Sequence, residues 1–250
     1  MIVDTFTFFN ELDMLKYRLE LLGPLVDKFV LVEATVSYRG LPKRLYYEEN
    51  KHLFEPWNSK IIHVILDDLI PNAPDPWLNE FEQRNRIAKH ITFMKDDDIL
   101  INSDLDEIPD PEVVKKLPEI LAHQDAVSLG MDLYYYNIET RVIAPWNFPK
   151  AMRYSFSKRD ALTHIRQYKL PVIPEAGWHL SYFGDASFIL NKLNNFAHYE
   201  AYNLYDNEEQ IRLVIKHRMD PFSRDDICVV HQPWELNPHP PPMYRPILRP

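Results

Sequence analysis

DDDILINSDLDEIPDP, residues 96–111, sets the fold class. Asp98 to Asn102 form a short apolar run of the kind found in strands buried on both faces, and the run stops at Ser103-Asp104-Leu105-Asp106-Glu107. A helix is then expected over Pro111 to Leu121, since Pro suits the first helical position. Strand, acidic turn and helix make one unit of an α/β protein. Ligands of open parallel sheets bind beyond the carboxyl ends of strands, where Asp104 and Asp106 fall.

The same alternation extends toward the N-terminus. Residues 2 to 9 read as a strand, and Asn10 can cap a helix with Leu12, Leu15, Leu19 and Leu22 at helical spacing, ended by Gly23-Pro24. Phe29 to Val32 leads into Glu33, and Ile61 to Leu66 leads into Asp67-Asp68. Asp75-Pro76 starts a helix expected to reach about Met94. Its stripe of Trp77, Phe81, Ala88 and Ile91 places Arg84 on the core-facing side. A cation there needs a partner, either Glu80 one turn away or an acidic or phosphorylated group at a site. The expected architecture is α/β, with a mainly parallel central sheet flanked by helices.

Beyond residue 125 the pattern becomes aromatic and strand-like: Ala126 to Leu133, Tyr134 to Tyr136, and Arg153 to Phe156. Helices are expected over Ser187 to Phe196 and Asn207 to His217, with a strand over Ile227 to Val230. Residues 233–250 are too proline-dense for helix or central strand and are expected to wrap the surface. The expected organisation is a single domain, 1–232, with a proline-rich tail, 233–250.

Composition narrows the function. The 250 residues are 46% hydrophobic, ample for a core, and the net charge of −9 argues against a nucleic-acid partner. Five glycines offer no GxGxxG, phosphate-loop or GxSxG spacing, which excludes Rossmann dehydrogenases, P-loop kinases and α/β-hydrolases. A single cysteine, Cys228, makes no internal disulfide. The start, MIVDTFTFF, lacks a signal peptide, and no run is long enough to span a membrane, so a cytoplasmic location is expected.

An Asp-x-Asp triplet is common by chance; its context makes this one notable. Mg²⁺ and Mn²⁺ bind one or two carboxylates plus the phosphate oxygens of a nucleotide, so Asp104 and Asp106 suit that role at a strand end. The alternative is a solvated helix start with favourable acids. A calcium loop fails for want of glycine at its sixth position and Glu at its twelfth. A phosphohydrolase with Asp104 as nucleophile is a rival, although its motif usually lies on the first strand. A catalytically silent carbohydrate-binding protein is another.

His179, in Gly177-Trp178-His179-Leu180-Ser181-Tyr182, is either a ligand completing the acidic site or a packing residue; His198 and His231 compete with it. Tyr134 to Tyr136 and Trp146 are candidates for a sugar-stacking platform or for ordinary sheet residues.

Four stretches together carry a resemblance: DTFTFFNELDMLKYRLELLGPLVDKFVLVEA (4–34), EFEQRNRI (80–87), residues 96–111 above, and GWHLSYF (177–183). In this order they resemble the N-acetylglucosaminyltransferases of glycosyltransferase family 17. The resemblance implies a GT-A type nucleotide-sugar fold, a UDP-sugar donor in the form of UDP-GlcNAc, Mn²⁺ or Mg²⁺, an oligosaccharide or glycoconjugate acceptor, and transfer with inversion. It makes Asp104 and Asp106 the metal and diphosphate residues, with His179 as a third metal ligand. Asn10, Glu11, Glu33 and Arg84 become donor-pocket residues. A carboxylate must take the acceptor's proton, and Glu200 is the choice over Asp132 and Asp185.

Overall fold

The computed structural model describes residues 1–198, 204–224 and 226–242. Its strands are β1 (Ile2–Phe8), β2 (Lys28–Ala34), β3 (Ile61–Leu66), β4 (Ile99–Asn102), β5 (Glu107–Pro109), β6 (Ala126–Leu129), β7 (Met131–Tyr135), β8 (Thr140–Trp146), β9 (Lys150–Arg153), β10 (Val172–Ile173), β11 (Gly177–Ser181) and β12 (Val229–His231). The α-helices are α1 (Leu12–Leu22), α2 (Tyr46–Asn50), α3 (Pro76–His90), α4 (Pro111–Ile120), α5 (Tyr154–Ser157), α6 (Leu162–Gln167), α7 (Ala186–Asn195) and α8 (Glu208–Lys216).

Seven strands form the central sheet in the order β10-β6-β9-β4-β1-β2-β3. All run parallel except β9, which is antiparallel to β4 and β6, so the sheet is mixed but mainly parallel. Successive side chains alternate between two cores. Phe29 and Leu31 pack with Leu15, Leu19 and Leu117 on the α1 and α4 side. Val30 and Val32 pack with Ile87, Leu162 and Ile165 on the α3 and α6 side. Both faces are therefore covered, which is why these strands read as continuous apolar runs.

A second sheet, β12-β8-β7-β11-β5, crosses the region after β4. β5 pairs antiparallel with β11, setting His179 opposite Glu107. Gly177 opens that pairing with φ +150, and a Cβ there would stand 2.2 Å from the Ile108 carbonyl oxygen, so only glycine fits. A third core joins this sheet to α7 and α8 through Leu133, Tyr135, Ile189, Leu193 and Ile211.

Several expectations shift. Asn10 does not cap α1: Glu11 occupies the cap position without a side-chain bond, and the Asn10 Oδ1 is buried with no hydrogen-bond partner. α3 ends at His90 and buries Asn79, Glu80, Gln83, Arg84 and Ile87, while Phe81 is exposed. The helical face is thus rotated from the apolar stripe, because its inner side borders polar groups. Residues 126–133 divide at Gly130 into β6 and β7, which belong to different sheets, and Arg153 to Phe156 is the end of β9 followed by α5. Tyr134 and Tyr136 are core residues rather than a sugar platform.

The tail docks where it is described. His239 stacks on Trp178 at 4.7 Å between ring centroids and bridges Asp132 and Asp110, while the Asn237 amide donates to the Tyr134 hydroxyl. Among the described residues, no helix is long and apolar enough to cross a membrane.

Candidate active site

The loop from Ser103 to Glu107 is held from within by Arg18 of α1, which is fully buried. Its guanidinium donates to both Asp4 carboxylate oxygens at 2.8 and 2.7 Å, to the Ser103 hydroxyl at 2.6 Å, and to the carbonyls of Asp104, Leu105 and Glu107 at 2.8, 3.0 and 2.7 Å. Carbonyls that a tight loop leaves unpaired thus find donors. The loop keeps one shape, and its acidic side chains are presented in fixed directions.

A pocket of about 360 Å³ lies over this loop, bordered by Trp77 and Glu80 of α3, Arg166 of α6, His179 of β11 and Lys192 of α7. Its size is that of a small-molecule site. Asp104 Oδ1 accepts from Arg84 Nη1 at 2.6 Å, and Oδ2 accepts from Arg166 Nη2 at 2.8 Å. Arg84 also donates to Glu80 Oε1 at 3.0 Å, so both partners expected for it are real. Glu107 accepts from Arg166, from the Trp146 indole at 2.6 Å and from the Asp104 backbone amide at 2.7 Å. Burial opposes ionisation of Asp104, but the two guanidinium groups hold its carboxyl below the usual range.

Asp106 has a different setting. Its Oδ2 accepts from Lys192 Nζ at 2.8 Å, and Lys192 also pairs with Glu11 at 3.0 Å. Its Oδ1 faces His179 Nε2 at 3.5 Å, and the Nδ1 of that ring is buried with no hydrogen-bond partner among the described residues. Against the cost of burial, Lys192 and His179 hold the Asp106 carboxyl far below the usual range, and Asp106 and Glu11 push the Lys192 ammonium upward.

The donor set can be tested for a divalent cation. Cis ligands about 2.1 Å from an octahedral ion lie about 3 Å apart, close to the Asp106–His179 separation. Two neighbouring bonded groups, Glu80, Asp104 and Glu107 with Arg84 and Arg166, and Asp106 and Glu11 with Lys192, set five carboxylates against three cations among the described residues, a formal excess of two negative charges. Asp106 and His179 are the two residues here that could hold a divalent ion between them. Asp104 does not fit as a ligand, since guanidinium groups already engage both its oxygens. Among the described residues, no group of three or more His, Cys, Asp or Glu side chains is placed to hold a metal ion.

The other expected site residues separate. Glu11 stands behind the pocket on Lys192, and Asn10 does not line it. Glu33 accepts from the Tyr47 amide at the start of α2 and pairs with Lys43 and His63, outside the pocket lining. Asp132 binds Arg141 and His239, and Asp185 caps α7, so neither reaches the pocket. Glu200 lies outside the described residues. His198 does border the pocket, against Trp77 and Phe222, whereas His231 lies near Glu139. Arg166, Lys192, Glu107 and Arg18 were not visible as site residues; a cation inside the apolar face of a helix, the signal that marked Arg84, applies equally to Lys192.

Fold and pocket together define an α/β protein with an anionic, aromatic-walled ligand site at its strand ends. The profile of glycosyltransferase family 17 matches residues 1–245, and the chain belongs to that family. Similar proteins include the human β-1,4-mannosyl-glycoprotein 4-β-N-acetylglucosaminyltransferase, 31% identical over 108 residues, covering 40% of this chain and 20% of that protein. The rat protein of the same name is 28% identical over 116 residues, covering 43% and 21%. The alignment thus spans about a fifth of those relatives. Among solved structures, 4-diphosphocytidyl-2C-methyl-D-erythritol synthase superposes with a TM-score of 0.41 at 12% identity, over 88% of this chain and 98% of that one. Glucosyl-3-phosphoglycerate synthase of M. tuberculosis superposes at 0.33 and 18%, over 52% and 44%. The phosphohydrolase alternative is not favoured: the family differs, and both oxygens of its nucleophile would have to leave a guanidinium.

Proposed function

We propose that this chain is a metal-dependent, inverting glycosyltransferase with a GT-A type donor site, moving N-acetylglucosamine from UDP-GlcNAc to a hydroxyl of an oligosaccharide or glycoconjugate. The observation that carries it is the Asp106–His179 pair, 3.5 Å apart in the pocket lining, beside bonded groups that together lack two positive charges among the described residues. Family membership and the relatives' names support the donor sugar.

A bound Mn²⁺ or Mg²⁺ supplies the charge that neutralises a leaving diphosphate. The protein's own groups do the rest. Lys192 keeps Asp106 ionised and oriented, and His179 turns Nε2 toward it. Arg84 and Arg166 clamp Asp104 so that the loop cannot rotate when an anion arrives. Trp77, Trp146 and Phe148 border the pocket and offer apolar ring faces on which a sugar can lie.

Thermal unfolding with UDP-GlcNAc, UDP-galactose or GDP-mannose, each with and without Mn²⁺, tests the reading. A ligand at 100 times its Kd adds about 2.7 kcal/mol, roughly a 5–10 °C rise for a domain of this size. The expected result is an Mn²⁺-dependent rise with UDP-GlcNAc that Asp106→Ala removes. No rise with any nucleotide sugar overturns it, and binding without turnover would favour a silent carbohydrate-binding protein.

A further inference from the structure

Three carboxylates border the pocket among the described residues: Glu80, Asp104 and Asp106. Their oxygens are not equally free. Both of Asp104 receive guanidinium hydrogen bonds, and those of Asp106 face Lys192 and His179. Glu80 is 9% exposed; its Oε1 accepts from Arg84, while its Oε2 is shut from water with no hydrogen-bond partner among the described residues. Leaving a buried acceptor unpaired costs about 1–3 kcal/mol, and more for a charged one, so a folded protein retains it chiefly where a ligand supplies the missing donor.

We propose that Glu80 is the general base of the transfer: on acceptor binding its carboxyl group turns about its soft terminal torsion so that Oε2, closed to water in the free protein, takes the proton of the acceptor hydroxyl. This rests on the glycosyltransferase reading above and replaces Glu200 in that role. The step balances. The acceptor oxygen forms a bond to the anomeric carbon as its proton passes to Glu80, and the bond from that carbon to the phosphate oxygen breaks, its electron pair leaving with UDP. Glu80 then returns the proton to solvent.

Position and environment both suit the task. Glu80 stands one turn from Trp77 on α3, so a sugar ring resting on that indole brings its hydroxyls to the same wall. Arg84, bonded to both Glu80 and Asp104, fixes the base relative to the loop at the diphosphate end. Burial pushes the Glu80 carboxyl above its ordinary range, against the pull of Arg84 on its own helix and Arg166 of α6; Asp104 on the loop after β4 adds to the rise. Tyr38, whose hydroxyl burial also pushes upward, completes the set of facing groups. A base raised toward neutrality takes a proton more readily than an ordinary carboxylate.

The test compares wild type with Glu80→Gln and Glu80→Asp, using UDP-GlcNAc and Mn²⁺. UDP release is followed with water and with methyl glycosides as acceptors, and UDP affinity by calorimetry. For Glu80→Gln the expected result is a fall in kcat of at least about 100-fold with UDP affinity within twofold of wild type. Wild type should lose kcat on acidification through an apparent pKa above the usual carboxylate range, and Glu80→Asp should keep that limb at a lower rate. A loss of kcat below about threefold in Glu80→Gln overturns the inference. So does a loss of UDP affinity in step with kcat, which would make Glu80 a positioning residue acting through Arg84. A wild type that neither binds UDP-GlcNAc nor releases UDP defeats the donor reading itself, an outcome distinct from an active Glu80→Gln.

Discussion

Two arginine-centred clusters grip the loop after β4 by different atoms. Arg18 grips its main chain, through three carbonyls and the Ser103 hydroxyl, with Asp4 balancing its charge in the core. Arg84 and Arg166 grip its side chains, Asp104 and Glu107, at the edge of the pocket. In the first cluster every polar atom of the pair is engaged among protein groups. In the second, three carboxylates face two guanidinium groups, and Glu80 Oε2, like His179 Nδ1 in the same pocket wall, lacks a partner among the described residues. A closed network of this kind supports a shape, whereas an open one awaits a ligand.

The largest effect should come from breaking the closed cluster. Arg18→Leu strands the Asp4 charge and three carbonyls, at a cost of about 3–5 kcal/mol. That corresponds to a drop of roughly 10 °C in Tm, read by thermal and chemical denaturation. An unchanged Tm would remove the contrast between the clusters.

Asp106→Asn is expected to lower Tm by less than Arg18→Leu, because Lys192 keeps Glu11 as a partner, while abolishing Mn²⁺-dependent binding of UDP-GlcNAc. Turnover should fall by about 100-fold, equivalent to roughly 2.7 kcal/mol. The same variant sharpens the electrostatics. The folded Asp106 pKa is depressed, so on acidification through about pH 4 the unfolded chain takes up a proton that the folded one does not. Its stabilisation is full above that pH and is lost as pH falls below it; Asp106→Asn should flatten this acid limb in a Tm-against-pH series.

Arg84→Lys replaces a planar fork that bridges Glu80 and Asp104 with a point charge. A loss of about tenfold in kcat/KM, or roughly 1.4 kcal/mol, is expected in steady-state assays. The smallest effect belongs to Trp146→Phe, which removes the indole bond to Glu107 but leaves Arg166 in place. About 1 kcal/mol of stability is at stake, or 2–4 °C in Tm. A larger loss would mean that the open cluster depends on Trp146 as the closed one does on Arg18.

The places of Asp104, Asp106 and His179 on the pocket wall, and of Arg84 behind it, were legible because each stands in a local pattern: a strand end, a charge on a helix face, an aromatic-flanked ring. Arg166 was not, since α6 has only six residues and its partner Glu107 is 59 positions away. Lys192 meets Asp106 across 86 positions. The three residues of β5 and four of β9 are too short for periodicity to register. The phase of α3 misled for a different reason: its buried face is polar, and an apolar stripe finds only faces that pack against hydrocarbon.

Residue order alone settled the alternation of strands and helices, the parallel sense of the leading sheet, the place of the acidic loop and the family to which the chain belongs. These follow from side-chain periodicity, capping chemistry and matching stretches, all written along the chain. Tertiary structure decided which carboxylates are saturated and which are open. It seated Lys192 against Asp106, sealed Arg18 beneath the loop and left Glu80 with an oxygen to spare. Hydrogen-bond satisfaction depends on distances between groups far apart in sequence, and only the folded chain sets those distances.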